Sequence, residues 1–238
     1  MATKPSEMTG ADFAWAAELM QRRRECYASY SPVFWRPAQG VVALHARFLQ
    51  YGATRPGAVA LRSEYGFIIT RPAEGRCFVD DFAVEDDSAW PVEGHALLHA
   101  AWQRVRSPEQ SSVRVVSARR DEPKRDLMIA LGLSVISRWW VKALTPTGPA
   151  QPHGPLTLGD VAAFLVAAPP VYDPGGPVCL LGDLEPARAA VAAERAAQAG
   201  AVLVIVQREG GDIAVASAEP ELEAAGFHNP AEFYQGQL

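Results

Sequence analysis

The chain reads as an α/β protein with a mixed, mostly antiparallel sheet flanked by helices, followed by a truncated second unit built in the same order. Three observations predict this. Short β-prone runs alternate with segments of helical apolar spacing. A stretch rich in proline, glycine and threonine, Thr145 to Pro155, separates a longer first part from a shorter tail. The end of the first part, Gly132-Leu133 through Trp139-Trp140 to Leu144, also returns with the same length as Gly226-Phe227 through Phe233-Tyr234 to Leu238. Each copy follows a Glu-Pro helix start, at Glu122-Pro123 and Glu219-Pro220. The expected organisation is a domain over residues 1–145, a linker over 146–155 and a half-domain over 156–238.

The first element runs from Asp12, a plausible N-cap, to Tyr30, with Phe13, Ala16, Ala17, Leu19 and Met20 at helical spacing; Pro32 stops it. An aromatic turn, Val33-Phe34-Trp35-Arg36-Pro37, leads to a second helix over Gln39 to Tyr51. The period then shortens. Ala58–Leu61, Gly66–Thr70 and Cys77–Val84 read as a three-stranded antiparallel meander, each run bounded by turn formers. Helical spacing returns from Val92 to Arg106, a strand follows at Val113–Val116, and Pro123 opens a helix that Gly132 closes. Val135 to Leu144 is strand-like, and its Trp139 and Trp140 alternate faces. In the tail, Thr157 to Ala168 reads as a helix and Val178–Leu181 as a strand. Pro186 to Ala199 is an alanine-rich helix, Val202–Gln207 and Ile213–Ala216 are strands, and Pro220 to Ala225 is a short helix ended by Gly226.

Composition narrows the partners. The 238 residues are 49% hydrophobic and 21% charged, enough apolar side chains for one large core or two modest ones. A net charge of -5 argues against nucleic acid, whose phosphates need a basic face. The three cysteines, Cys26, Cys77 and Cys179, are odd in number and far apart, so neither a zinc site nor a disulfide framework is expected, and no metal. The opening Met-Ala-Thr-Lys-Pro-Ser-Glu lacks an apolar segment, and no run approaches the roughly 20 apolar residues that span a bilayer. The expectation is a cytoplasmic protein with no membrane partner, and a homodimer is among the arrangements the tail could serve.

The stretch from Val79 to Leu98 carries the chemistry. A strand ends in an acidic pair and Phe82-Ala83-Val84, a loop follows, and Gly94-His95-Ala96-Leu97-Leu98 opens a helix. This resembles the central motif of the GNAT N-acetyltransferases, and the order of elements from Ala14 to Leu144 is similar to that family's fold. The resemblance implies a co-substrate, acetyl-coenzyme A. Its pyrophosphate would meet the amides of Val92, Glu93, Gly94, His95 and Ala96, where a helix N-terminus offers unpaired N–H groups. Its pantetheine arm would pair with the splayed edge of Phe82, Ala83 and Val84. The sequence departs from the family pattern in two places. Pro91 stands where Arg or Gln is expected, and Met128 where a leaving-thiol tyrosine often lies.

A proton acceptor for the attacking amine would come from Asp81, then Asp80, or Glu85. Period two puts Asp80 on one face and Asp81 and Glu85 on the other, unless a bulge shifts the register. Those acids would favour a cationic substrate. Trp35 and Arg36 border the family's acceptor pocket and could hold an aromatic or carboxylated acceptor, or anchor the core. The tail lacks a glycine loop, and its acidic helix start repels phosphate; it reads as a cofactor-free half-domain. The expected function is acetyl transfer to a primary amine of a small molecule. The opposing class is a non-catalytic module on a degenerate GNAT fold, binding an acyl-coenzyme A or acting by interaction.

Overall fold

The computed structural model describes residues 4–210 and 219–238. Its elements run β1 (Ser6–Glu7), α1 (Asp12–Ala28), α2 (Pro32–Trp35), α3 (Val41–Ala53), β2 (Val59–Arg62), β3 (Gly66–Ala73) and β4 (Arg76–Val84). A 3₁₀ turn (Asp87–Ala89) and a π turn (Trp90–Gly94) precede α4 (His95–Val105). Next come β5 (Val113–Ala118), α5 (Glu122–Ala130), β6 (Ser134–Ala143), β7 (Gly154–Leu158), β8 (Val161–Val166) and β9 (Val178–Leu181). The chain closes with α6 (Pro186–Gln198), β10 (Leu203–Glu209), a helical turn over residues 219–224 and β11 (His228–Gly236). Among the described residues, no helix is long and apolar enough to cross a membrane. The strand expected at Ile213–Ala216 lies outside the described residues.

The chain divides into two compact units whose lines differ from the boundaries expected at 145 and 155. The first holds the chain up to Cys26, Gly40–Ser134 and Phe233–Leu238; the second holds Tyr27–Gln39 and Val135–Glu232. The duplicated ends are therefore exchanged. Most of β6, the last strand of the first copy, belongs to the second unit, and the end of β11 belongs to the first.

In the first unit the strand order is β1-β2-β3-β4-β5, and β11 follows. The β2-β3-β4 meander is antiparallel as expected, and β5 joins β4 in parallel after the α4 crossover. The β3–β4 hairpin closes on Glu74 and Gly75, both at positive φ (50° and 74°) between paired Ala73 and Arg76. That is the two-residue turn whose twist matches a right-twisted ribbon. Helix α1 buries Phe13, Ala16, Ala17, Leu19 and Met20 against Phe67, Ile69 and Ala83, with Leu49 of α3 completing the layer. Each large side chain so buried contributes about 1.5–3 kcal/mol. The start of α1 is tied by Asp12, whose carboxylate accepts the Thr9 amide (2.7 Å) and hydroxyl (2.9 Å).

In the second unit the order is β11-β6-β10-β9-β8-β7. The helix expected over Thr157–Ala168 is instead the β7–β8 hairpin. Gly159, at φ +73°, opens its two-residue turn. Val161, Ala163 and Leu165 are buried between exposed Ala162 and Phe164, which is period two rather than 3.6. The alanines there carry helical propensity, but tertiary burial decided the segment. Helix α6 lays Ala189, Ala192, Ala193 and Ala196 against a layer that includes Cys179, Leu181, Val204, Val206 and Trp140.

Candidate functional site

Strands β3 and β4 pair from Gly66↔Val84 to Ile68↔Phe82 and again from Thr70↔Val79, so Asp80 and Asp81 together oppose the single Ile69. Two residues facing one make a β-bulge, which breaks the alternation of side chains. Both carboxylates consequently line one pocket, with Phe48, Ile69, Arg71 and Phe78. A larger cavity of about 570 Å³, bordered by Phe48, Tyr51, Gly52, Arg55 and Arg71, shares Phe48, Gly52 and Arg71 with it.

Behind the bulge stand two charged or titratable side chains from the helices. His45 of α3 is 1% exposed, with Nε2 at 3.3 Å from Asp81 Oδ1. Arg24 of α1 places Nη1 at 3.1 Å from His45 Nδ1 and Nη2 at 3.9 Å from Asp81 Oδ1. Arg24 Nη2 also lies 3.3 Å from Nε2, but an ionised Asp81 can only accept, so Nε2 carries the proton donated to Asp81 and Nδ1 accepts from Arg24. Burial pushes His45 below its ordinary 6.5, which keeps the ring neutral. Burial alone would raise Asp81, but the hydrogen bond from His45 and the charges of Arg24 and Arg71 hold it below the usual carboxylate value. Desolvation and then the Asp81 charge push Asp80 up to about 6. The residue stays solvent-accessible at its surface, so repulsion from Asp81 is the firmer of those two causes. The arrangement separates one carboxylate fixed in its charged form from one poised near neutrality.

Strands β4 and β5 pair only from Cys77↔Val113 to Val79↔Val115, although β4 runs to Val84 and β5 to Ala118. This is the splay expected at Phe82, Ala83 and Val84. Those three residues are nevertheless buried, at 2%, 1% and 0% exposure. Lys124 of α5 donates from Nζ to the Phe82 carbonyl at 3.3 Å and lies 5.3 Å from the Phe82 ring and 5.6 Å from the Trp90 ring. Trp90 is fully buried and stands edge-on to Phe82 at 4.9 Å. Arg23 reaches over Trp90 at 5.7 Å and pairs with Asp87 and, at 2.6 Å, with Asp121. Burial lowers the Lys124 ammonium to about 8.

The helix start departs further from expectation. The 3₁₀ and π turns run straight into α4, and the His95 amide donates back to Trp90 O and Val92 O. The turn before it is capped by Asp86, whose carboxylate accepts the Ser88 amide at 2.7 Å. Gly94 is buried, and a Cβ there would lie 2.6 Å from Trp90 Cε3 and 3.0 Å from Leu127 Cδ2. Its missing side chain serves the packing of Trp90. Glu93 is buried as well, Ala96 is half-buried, and Val92 is 48% exposed. The adjoining cavity, about 490 Å³, brings Asp87, Glu122 and Asp126 around Pro91 and His95. Glu122 and Asp126 place negative charge near the start of α4, Asp87 is paired with Arg23, and Lys124 holds the Phe82 carbonyl.

The other expected site residues take structural posts. Glu85 is exposed and accepts the Trp15 indole N–H at 3.1 Å. Trp35 is buried among Tyr27, Phe34 and Tyr172 in the second unit, where Arg36 accepts the Asp173 amide on its main-chain oxygen. Met128 is fully buried. Among the described residues, no group of three or more His, Cys, Asp or Glu side chains is placed to hold a metal ion. Arg24, His45 and Lys124 were missed by sequence reasoning, though each carries one signal. Arg24 extends the buried stripe of Phe13, Ala16, Ala17 and Met20, His45 sits between Val41 and Leu49, and Lys124 precedes Leu127 and Met128 at helical spacing. A polar or charged residue on an apolar stripe marks a buried polar site.

No protein-family model matches the sequence, and no curated protein matches it. Among solved structures, the chain is similar to a GCN5-related N-acetyltransferase from Sphaerobacter thermophilus, at TM-score 0.61 and 12% identity over 98% of this chain and 95% of that one. It is also similar to a tandem GNAT protein from the clavulanic acid biosynthesis pathway, at TM-score 0.50 and 11% identity over 100% and 98%. The fold is that of the GNAT N-acetyltransferases.

Proposed function

We propose that the first unit binds a small primary amine at the β4 bulge, on a GNAT fold whose donor crevice is occupied by its own side chains. The observation that carries this is the bulge itself, which turns Asp80 and Asp81 into one pocket beside Arg71. Asp81, held charged by His45 and Arg24, attracts an ammonium. Arg71 and Arg55 border the neighbouring cavity with Phe48 and Tyr51, which suits an amine that also bears a carboxylate. Recognition of such a zwitterion needs no thioester donor, and the filled surroundings of Phe82 and Gly94 support a non-catalytic module.

One observation favours a second reading, acetyl transfer from acetyl-coenzyme A to that amine: β4 and β5 part just after Val79, next to the bulge. On this reading the chain is an N-acetyltransferase, and Lys124 must leave Phe82 O before a donor is held. Thermal melting separates the two. Lysine, ornithine and 1,4-diaminobutane are titrated against the full chain, then acetyl-coenzyme A at millimolar concentration. Saturation at about 100 times Kd adds about 2.7 kcal/mol of stability. The binding module predicts a shift with an amine, absent in Asp81→Asn, and none with acetyl-coenzyme A. A shift with acetyl-coenzyme A, followed by thiol release with any amine, selects the transferase. Silence toward every amine removes the bulge as a ligand site.

A further inference from the structure

A second cavity lies wholly within the second unit, and nothing in the amine reading uses it. Its volume is about 210 Å³. Trp139 of β6, Leu180 of β9 and Ile205 of β10 form the floor; Phe34, Pro169 and Tyr172 form the walls.

The cavity follows from the register of the strands. Side chains alternate across β9 and β10, so Cys179, Leu181, Val204 and Val206 face the alanines of α6 while Leu180 and Ile205 face the other way. In the first unit the equivalent kind of sheet face lies under α1 and α3. The shorter repeat has no such helix pair before its strands. Short α2 and the loop over residues 167–177 cover the face in their place, and Leu180 is left 37% exposed. That cover is held by main-chain bonds, Ala38 N to Val171 O at 3.3 Å and Asp173 N to Arg36 O at 3.0 Å. The cavity is therefore preformed rather than opened by a ligand.

Its chemistry is narrow. Trp139 directs its indole N–H to Gln207 Oε1 at 3.2 Å, so that side chain offers the cavity only its ring. Phe34 meets Trp139 edge-on at 5.8 Å and lies near-parallel to Tyr172 at 6.2 Å. An apolar cavity of about 150 Å³ stays dry and takes up benzene. Ring walls at these angles favour another ring, offset-stacked or edge-on. We infer that this cavity is a binding site for a small, flat, uncharged aromatic molecule about the size of a fused ring pair.

Saturation-transfer NMR with naphthalene and with indole, on the full chain, tests this. The expected result is saturable one-to-one binding that Leu180→Trp, a larger ring at a half-open position, weakens by about tenfold or more. Ile205→Phe, from β10, gives the same loss should the first variant misfold. Binding is expected to be unchanged in Asp81→Asn, which separates this site from the bulge. Absence of saturable binding, or binding that survives both filling variants, overturns the inference. So does a dimer that Leu180→Trp converts to monomer without any probe binding, which would assign the face to a second copy of the chain.

Discussion

Arg24, His45 and Lys124 occupy positions that the helical period marks for apolar side chains, and each is 5% exposed or less. A buried cation costs several kcal/mol unless neighbouring groups compensate it. Arg24 is compensated by Asp81 and by the ring nitrogen of His45, and with His45 it holds that carboxylate ionised. Lys124 is held by the Phe82 carbonyl and two ring faces, with Asp121 and Asp80 as the nearest negative charges acting on it. Its ammonium titrates near 8 in the folded protein against an ordinary 10.5, so between those values the unfolded chain binds more protons. Stability is therefore expected to rise with pH across that window, by an amount on the order of 3 kcal/mol. Lys124→Met, which keeps the apolar stem, should flatten the rise, and melting temperatures measured from pH 7.5 to 10 check it. Parallel curves for the two proteins would show that this amine is not buried.

Two irregular elements decide the site. The bulge in β4 brings adjacent carboxylates onto one side, which no regular strand can do. The π turn from Trp90 to Gly94 carries the α4 hydrogen bonding back through the loop and spends the His95 amide. Gly94 is small for the sake of Trp90, so Gly94→Val should destabilise the first unit by about 1–3 kcal/mol in urea titrations. Gly182→Val, with nothing within 4 Å of its added Cβ, should stay within about 0.5 kcal/mol. Equal costs at the two positions would remove the packing account of Gly94.

At the scale of the whole chain, the duplicated terminal strands are exchanged between the two compact units. The first unit depends on the last residues of the chain. Trp102 Nε1 donates to Leu238 O at 2.8 Å, Arg114 to Gln235 Oε1 at 3.0 Å and Arg125 to the Tyr234 hydroxyl at 3.0 Å. A fragment of residues 1–145 retains neither those partners nor the end of β11, and an unpaired strand edge invites aggregation. It should be insoluble or molten alone and recover a cooperative melt when co-expressed with residues 146–238. Cooperative two-state unfolding of the isolated fragment would instead support independent domains cut at the Pro-Gly-Thr segment.

Periodicity alone determined most of the elements: α1, α3, the meander, β5, α5, β6, α6 and β10 all fall within a few residues of their expected places, because local spacing reports which face is buried. The acidic pair was legible too, and the parting of β4 from β5 followed from the family resemblance of the same short segment. The β7–β8 hairpin was not, because alanine and valine runs satisfy two periods and only the packed neighbours choose between them. The surroundings of Phe82 and Trp90 also belonged to tertiary structure alone. Lys124 lies 42 residues from Phe82 along the chain, and Arg24 lies 21 from His45. Whether a helix start is free or spent, and whether a strand edge is open or filled, is set by side chains arriving from elsewhere, and no local pattern records their arrival.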